Sequence, residues 1–180
     1  MSDLEQLLAP LSAEAPCGSD LEYDPVFGEM QVAGAGKLEQ QFGDTVIPAV
    51  PPEWPQVYQH ACELAARTRD LRVAVWLLRS GAQHKGFGAA VQALQLLHGY
   101  LVQHWDAVHP QLDAADGNDP LMRLSALAPL APQEMPYAGP PVALLDLRFA
   151  WLGAARGSLT VREVELAIGA AEALDRKSVV

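Results

Sequence analysis

Basic residues are scarce. The 180-residue chain carries 12 lysines and arginines against 22 aspartates and glutamates, giving a formal charge of −10 and an isoelectric point near 4.8. Nucleic acids and anionic membranes are held through basic patches, so this shortage argues against both and leaves proteins or cations as partners. Cysteine is scarcer still. Cys17 and Cys62 allow one bridge and no disulfide framework, and in a chain of this size they read as thiols of a reducing cytosol. Long apolar runs are missing too, since none approaches the roughly 20 residues needed to cross a bilayer. The opening "MSDLEQLLAPLSAEAP" has acids where a secretion signal needs a basic start. The chain is expected to be cytoplasmic.

What is present is apolar residues in quantity, half of the chain, enough for the core of a single domain over 1–180. Ser2 with Glu5 forms a capping box ahead of Leu4, Leu7 and Leu8, and Asp24 before Pro25 is a cap-then-proline helix start leading through Val26, Phe27 and Met30. Residues 34–52 then form a Gly/Pro-rich gap, long enough to be functional or mobile.

Three stronger helical patterns follow. In 54–67 the apolar positions are Val57, Ala61, Leu64 and Ala65, with Tyr58 and Cys62 beside them, so Cys62 reads as a buried small residue. "DLRVAVWLLRSGAQ", 70–83, is apolar almost all round, leaving a narrow polar stripe of Arg72, Arg79 and Gln83, and should be the most buried helix. In 87–108 the spacing of Phe87, Val91, Leu94, His98, Leu101, Trp105 and Val108 predicts an inward stripe.

Asp119 and Pro120 start another helix with Leu121, Leu124, Leu127 and Ala131 inward. "LLDLRFAWL" turning through "GAARG" into "SLTV" suggests a small hairpin, and Thr160 with Glu163 caps a last helix with Val161, Val164, Ile168, Ala171 and Leu174 inward. The expected fold class is all-α: a compact multi-helix domain with long Gly/Pro-rich loops and at most one small β-hairpin, near the C-terminal end.

Candidate chemistry is thin. Cys17 lies between Pro16 and Gly18 with no histidine near it in sequence, and reads as a small residue at a tight turn where Gly18 supplies positive φ. "DAADGND", 113–119, has acids around Gly117 but misses the EF-hand spacing, and reads as a surface turn. His98, His104 and His109 are spaced too widely for two ligands on one helix face, and His98 reads as a hydrogen-bonded core residue. No phosphate loop, dinucleotide fingerprint or serine elbow appears. The expectation is no enzyme, no metal and no cofactor. A metal- or thiol-dependent enzyme using Cys17 or 113–119, and a small-ligand-binding regulatory helical domain, stand as the rival readings.

One charged pattern remains. "RTRDLR", 67–72, places three arginines at the mouth of the most apolar helix, and unpaired buried charges are too costly to persist. The alternating acids Asp20, Glu22 and Asp24 are the natural counterions. They predict a clamp in which Asp20 or Glu22 meets Arg69 or Arg72 while Asp24 caps its helix. Phe42, Val46 and Ile47, apolar residues without a helical face inside the 34–52 gap, are the candidate partner-binding loop.

The blocks "PCGSDLEYDPVF", "GKLEQQFGD", "EWPQVYQHA", "TRDLRVAVWLLR" and "YLVQHWDAVHPQLDAADGNDPLMRLSAL" occur in the order in which similar blocks occur in the ImpA N-terminal domain of TssA proteins. Over about 15–130 the chain resembles that family of the bacterial type VI secretion system. The resemblance implies a cytoplasmic, non-catalytic assembly factor whose partners are the baseplate, the membrane complex and the growing tube and sheath. Family members usually continue into further helical domains, the last building a ring. Those are expected to be absent here, as in an excised domain or a short relative, so oligomerisation does not carry over.

Overall fold

The computed structural model describes residues 4–37, 39–43, 45–131, 142–153 and 157–170. It is mostly helical, with helices α1 (Leu4–Leu8), α2 (Pro25–Ala35), α3 (Trp54–Ala65), α4 (Leu71–His84), α5 (Phe87–Gln103), α6 (Leu121–Leu127), α7 (Val142–Phe149) and α8 (Val161–Ala167). Strands β1 (Gln40–Phe42) and β2 (Thr45–Ile47) form a small antiparallel hairpin, with Gln40 opposite Ile47 and Phe42 opposite Thr45.

Local chemistry sets the helix starts. Asp24 accepts a bond from the Val26 N–H at 3.0 Å with Pro25 at the first helical position, and Asp70 accepts from Arg72 N–H at 2.7 Å to open α4. Thr160 and Glu163 make a reciprocal capping box at α8. The Ser2 half of the box expected at α1 lies outside the described residues.

Helix α4 is the centre of the molecule, with nine of its 14 residues buried, and it packs against α3, α5, α6 and α7. Leu71 and Leu78 on α4 and Leu64 on α3 are fully buried, and each such leucine contributes about 2 kcal/mol through its area removed from water. The polar stripe of α4 is satisfied by two distant acids groups. At its start Arg72 faces the N-terminal acids. Further along, Asp146 of α7 accepts from Arg79 Nε at 2.7 Å and Gln83 Nε2 at 2.8 Å, while the Arg79 guanidinium lies 5.3 Å from the Trp54 ring centre and 4.9 Å from that of Trp76.

Several elements depart from expectation. The buried face of α5 is Ala90, Ala93, Leu96, Leu97, Gly99 and Tyr100, while Val91, Leu94 and Leu101 are half-buried and His98 and Trp105 exposed. Close approach explains the rotation: a Cβ on Gly99 would lie 2.2 Å from Leu8 Cδ2, and one on Gly81 would lie 3.4 Å from the Ala89 backbone. Gly99, Ala90 and Ala93 let the neighbouring helices approach, and Leu96, Leu97 and Tyr100 fill the space beside them.

Helix α6 is rotated likewise, with Leu121 and Leu124 exposed and Arg123 fully buried, and a 3-10 turn at Ala128–Leu130 continues it. The hairpin lies within the 34–52 gap, not in the C-terminal third. "LLDLRF" is part of helix α7, because Ala143 and Asp146 share one helical face turned to the core, and among the described residues the pairing expected there is reduced to the Trp151–Thr160 bridge and the Leu152 N–H to Leu159 C=O bond. Ile168 is 72% exposed beyond the end of α8, and Ala171 and Leu174 lie outside the described residues. Cys62 is half-buried.

Candidate functional site

The link between α3 and α4, residues 67–70, is stitched on both sides. Arg69 N–H donates to Cys17 C=O at 2.8 Å, and Thr68 Oγ1 donates to Ser19 C=O at 2.9 Å, so residues 17–19 run beside it. On the other side His109 N–H donates to Arg69 C=O at 3.0 Å, and Leu71 N–H donates to His109 C=O at 2.8 Å. Gly18 has φ +70°, and a Cβ there would meet Arg67 C=O at 2.6 Å, so the tight turn needs glycine.

Arg72 is the hub. Its Nη2 donates to Asp20 and to Asp70 at 2.7 Å each, its Nη1 donates to Glu22 at 2.9 Å, and its guanidinium lies 5.1 Å from the Phe27 ring centre. Burial works against the charge on Arg72, yet the bonds to Asp70 and Glu22 and the charge of Asp20 hold its pKa above the usual arginine value. For Asp20, burial raises the carboxyl, but the Glu22 N–H and Arg72 outweigh it and leave the pKa below the ordinary aspartate value. Asp24 binds the Arg67 guanidinium as well as capping α2, and that bond, with the Val26 N–H, lowers its pKa.

Arg69 takes a different route. Among the described residues it meets no carboxylate: its Nη1 donates to Ala65 C=O at 2.8 Å, and its Nε and Nη2 donate to Ala9 C=O at 3.1 and 2.8 Å, with Nη2 also reaching Gln6 C=O. These carbonyls belong to the C-terminal ends of α1 and α3, whose partial negative charge stands in for an acid. Of the expected arginine partners, Arg72 therefore takes both Asp20 and Glu22, and Arg69 takes neither.

Three residues in this region were missed from sequence. Arg123 donates to the carbonyls of Pro110 at 2.8 Å, Val108 at 2.9 Å and Trp105, bracing the turn after α5. His109 Nε2–H donates to Gly18 C=O at 3.0 Å, and His104 bonds Leu8 C=O through Nε2 at 2.7 Å. No spacing rule finds them, because each acts on a backbone carbonyl far away in sequence.

The rival chemistries find little support in the geometry. Cys17 is buried, and desolvation raises its thiol pKa despite the positive charges of Arg69 and Arg123, the opposite of an activated nucleophile. In 113–119 two of the three carboxylates are engaged locally: Asp113 accepts from Ala115 N–H and Asp119 from Leu121 N–H, each at 2.9 Å. Among the described residues no group of three or more His, Cys, Asp or Glu is arranged to hold a metal.

The candidate loop holds an antiparallel ribbon. Lys37 and Val50 exchange backbone bonds of 2.8 Å at its base, in register with β1 and β2, and Val46 and Ile47 are about half exposed. Phe42 lies in β1 opposite Thr45.

Against this geometry the comparisons are decisive. A model of the ImpA N-terminal, type VI secretion system family matches residues 8–132, a span holding the acidic segment, the arginines and the ribbon. The chain belongs to the ImpA N-terminal family. A curated relative, type VI secretion system component TssA1 of Pseudomonas aeruginosa, is 46% identical over 135 residues, covering 75% of this chain and 39% of the relative. The solved N-terminal domain, including the conserved ImpA_N region, of the TssA component from Burkholderia cenocepacia superposes with a TM-score of 0.63 at 28% identity. That match covers 93% of this chain and 58% of the other. This member of the family thus spans about two fifths of its curated relative's length. No helix among its described residues is long and apolar enough to cross a membrane.

Proposed function

We propose that the chain is a non-catalytic protein–protein interaction module of a bacterial type VI secretion system, working in the cytoplasm. In this reading it helps coordinate the baseplate, the membrane complex and tube and sheath polymerisation. The observation that carries the reading is the family match over 8–132, which includes an exposed ribbon mounted on a braced helical core. The clamp of Asp20, Glu22 and Asp24 with Arg67 and Arg72 has a structural role here: it fixes the N-terminal segment so that α2 and the ribbon are presented in one orientation. Holding an interaction surface rigid before binding lowers the ordering cost of association.

The ribbon is the proposed contact element, with Phe42, Val46 and Ile47 as its apolar residues. The test presents the immobilised chain separately to purified baseplate, membrane-complex, tube and sheath proteins of its own secretion system. Specific, saturable capture of at least one is expected. Capture of none, by a chain shown to be folded, would overturn the reading.

A further inference from the structure

A groove of about 500 Å³ lies between α2, the base of the ribbon and the start of α3. Its lining includes Gly28, a glycine that no contact among the described residues explains. It sits inside helix α2, where glycine is disfavoured, and a Cβ placed on it meets nothing within 4 Å. Gly34 on the same helix is a contrast, because a Cβ there would lie 2.4 Å from the Trp76 ring. One glycine is required by packing, and the other leaves a bare helix backbone open to the groove.

Beside Gly28 stands Val32, 76% exposed, and across from it Val50, 47% exposed. The polar lining is acidic on balance. Glu29 has 62% of its side chain exposed and lies 3.8 Å from His60, and Glu53 has no cationic partner among the described residues; Lys37 is the single cation in the lining. Two carboxylates in a chain of net charge −10 disfavour phosphate ligands and favour a cation next to apolar surface.

We propose that this groove docks a partner protein segment that presents an apolar side chain beside a lysine or arginine. The apolar group would sit over Gly28 between Val32 and Val50, with the cation between Glu29 and Glu53. A second cavity, of about 290 Å³ beside Trp76 and Met122, carries less, because its cations Arg72 and Arg79 are already paired with carboxylates.

The inference rests on the reading of the chain as an interaction module, and its test separates the two. Tryptamine, an apolar ring with an ammonium, is titrated into the labelled wild-type chain and followed by amide NMR. Shifts confined to residues 28–37 and 50–56 are expected, with indole-3-acetate binding roughly fivefold or more weakly because its charge is reversed. The variant Gly28→Leu, whose Cβ meets nothing within 4 Å, should keep the fold, lose the tryptamine shifts and weaken capture of the secretion proteins at least fivefold. Shifts elsewhere, no shifts, equal binding of the two indoles, or undiminished capture by Gly28→Leu would each overturn the groove proposal. Capture of no secretion protein by the wild type counts against the module reading, whereas tryptamine mapping still decides the groove chemistry.

Discussion

The Arg72 guanidinium holds the Asp20 carboxylate at 2.7 Å across a sequence separation of 52 residues. The same guanidinium holds Glu22 and the fully buried Asp70, so one side chain ties the acidic N-terminal segment to the first turn of the central helix. Removing it affects its partners unequally. Arg72→Ala strands Asp70 in the interior and should cost about 3 to 5 kcal/mol, whereas Asp20→Ala removes a carboxylate whose side chain is 41% exposed and should cost about 1 kcal/mol. Urea denaturation of both single variants and the double variant checks this, and strictly additive losses would mean the pair is not coupled.

Arg69 and Arg123 are held by carbonyls, so their forked geometry matters as much as their charge. Arg123→Lys keeps the charge but cannot address the carbonyls of Trp105, Val108 and Pro110 together, and should cost about 1 to 3 kcal/mol. A lysine variant with wild-type stability would show that charge alone suffices at this position.

The acid limb of stability follows from the depressed carboxyls. Asp20, Asp24 and Glu163 all have folded pKa values below their ordinary ones. Their stabilisation is therefore present above the unfolded values, about pH 4, and is lost as pH falls through the folded values. The urea midpoint should hold between pH 7 and 5 and drop below pH 4, with a shallower drop in Asp20→Asn. A midpoint that rises on acidification below pH 4 would contradict this sign.

The two glycines of α2 should respond oppositely to alanine. Gly28→Ala should leave stability unchanged or raise it by up to about 1 kcal/mol, because helix propensity improves and nothing is displaced. Gly34→Ala drives a methyl group into the Trp76 ring and should cost about 1 to 3 kcal/mol. Thermal melts of both variants decide it, and equal effects would refute the packing assigned to Gly34.

How much was legible in the sequence depended on the range of the interaction. Caps at Asp24 and Thr160 follow from two or three adjacent residues, and a run as apolar as α4 has one reasonable location. Arg72 and its acids were traceable because cations are few. The face of α5 was not, since it turns on where Gly99 and Gly81 permit contact, a property of neighbours absent from the local pattern. Leu121 and Leu124 suggested the inner face of α6 by bulk, but Arg123 occupies it because three carbonyls await a donor there. The position of the hairpin was illegible for a related reason: "LLDLRF" alternates like a strand, and the reach of Asp146 to Arg79 and Gln83, which favours a helix, is not visible locally.

The central claim, that an exposed ribbon on a braced helical core captures a partner, is tested most directly by removing its tip. Deleting residues 39–47 leaves three residues between Lys37 and Val50, a loop length that a paired base can accommodate. The variant's melting temperature and its affinity for the captured secretion protein are measured side by side. An unchanged melting temperature with affinity reduced tenfold or more, roughly 1.4 kcal/mol of binding free energy, is the predicted result. Unchanged affinity in a folded deletion variant would contradict it.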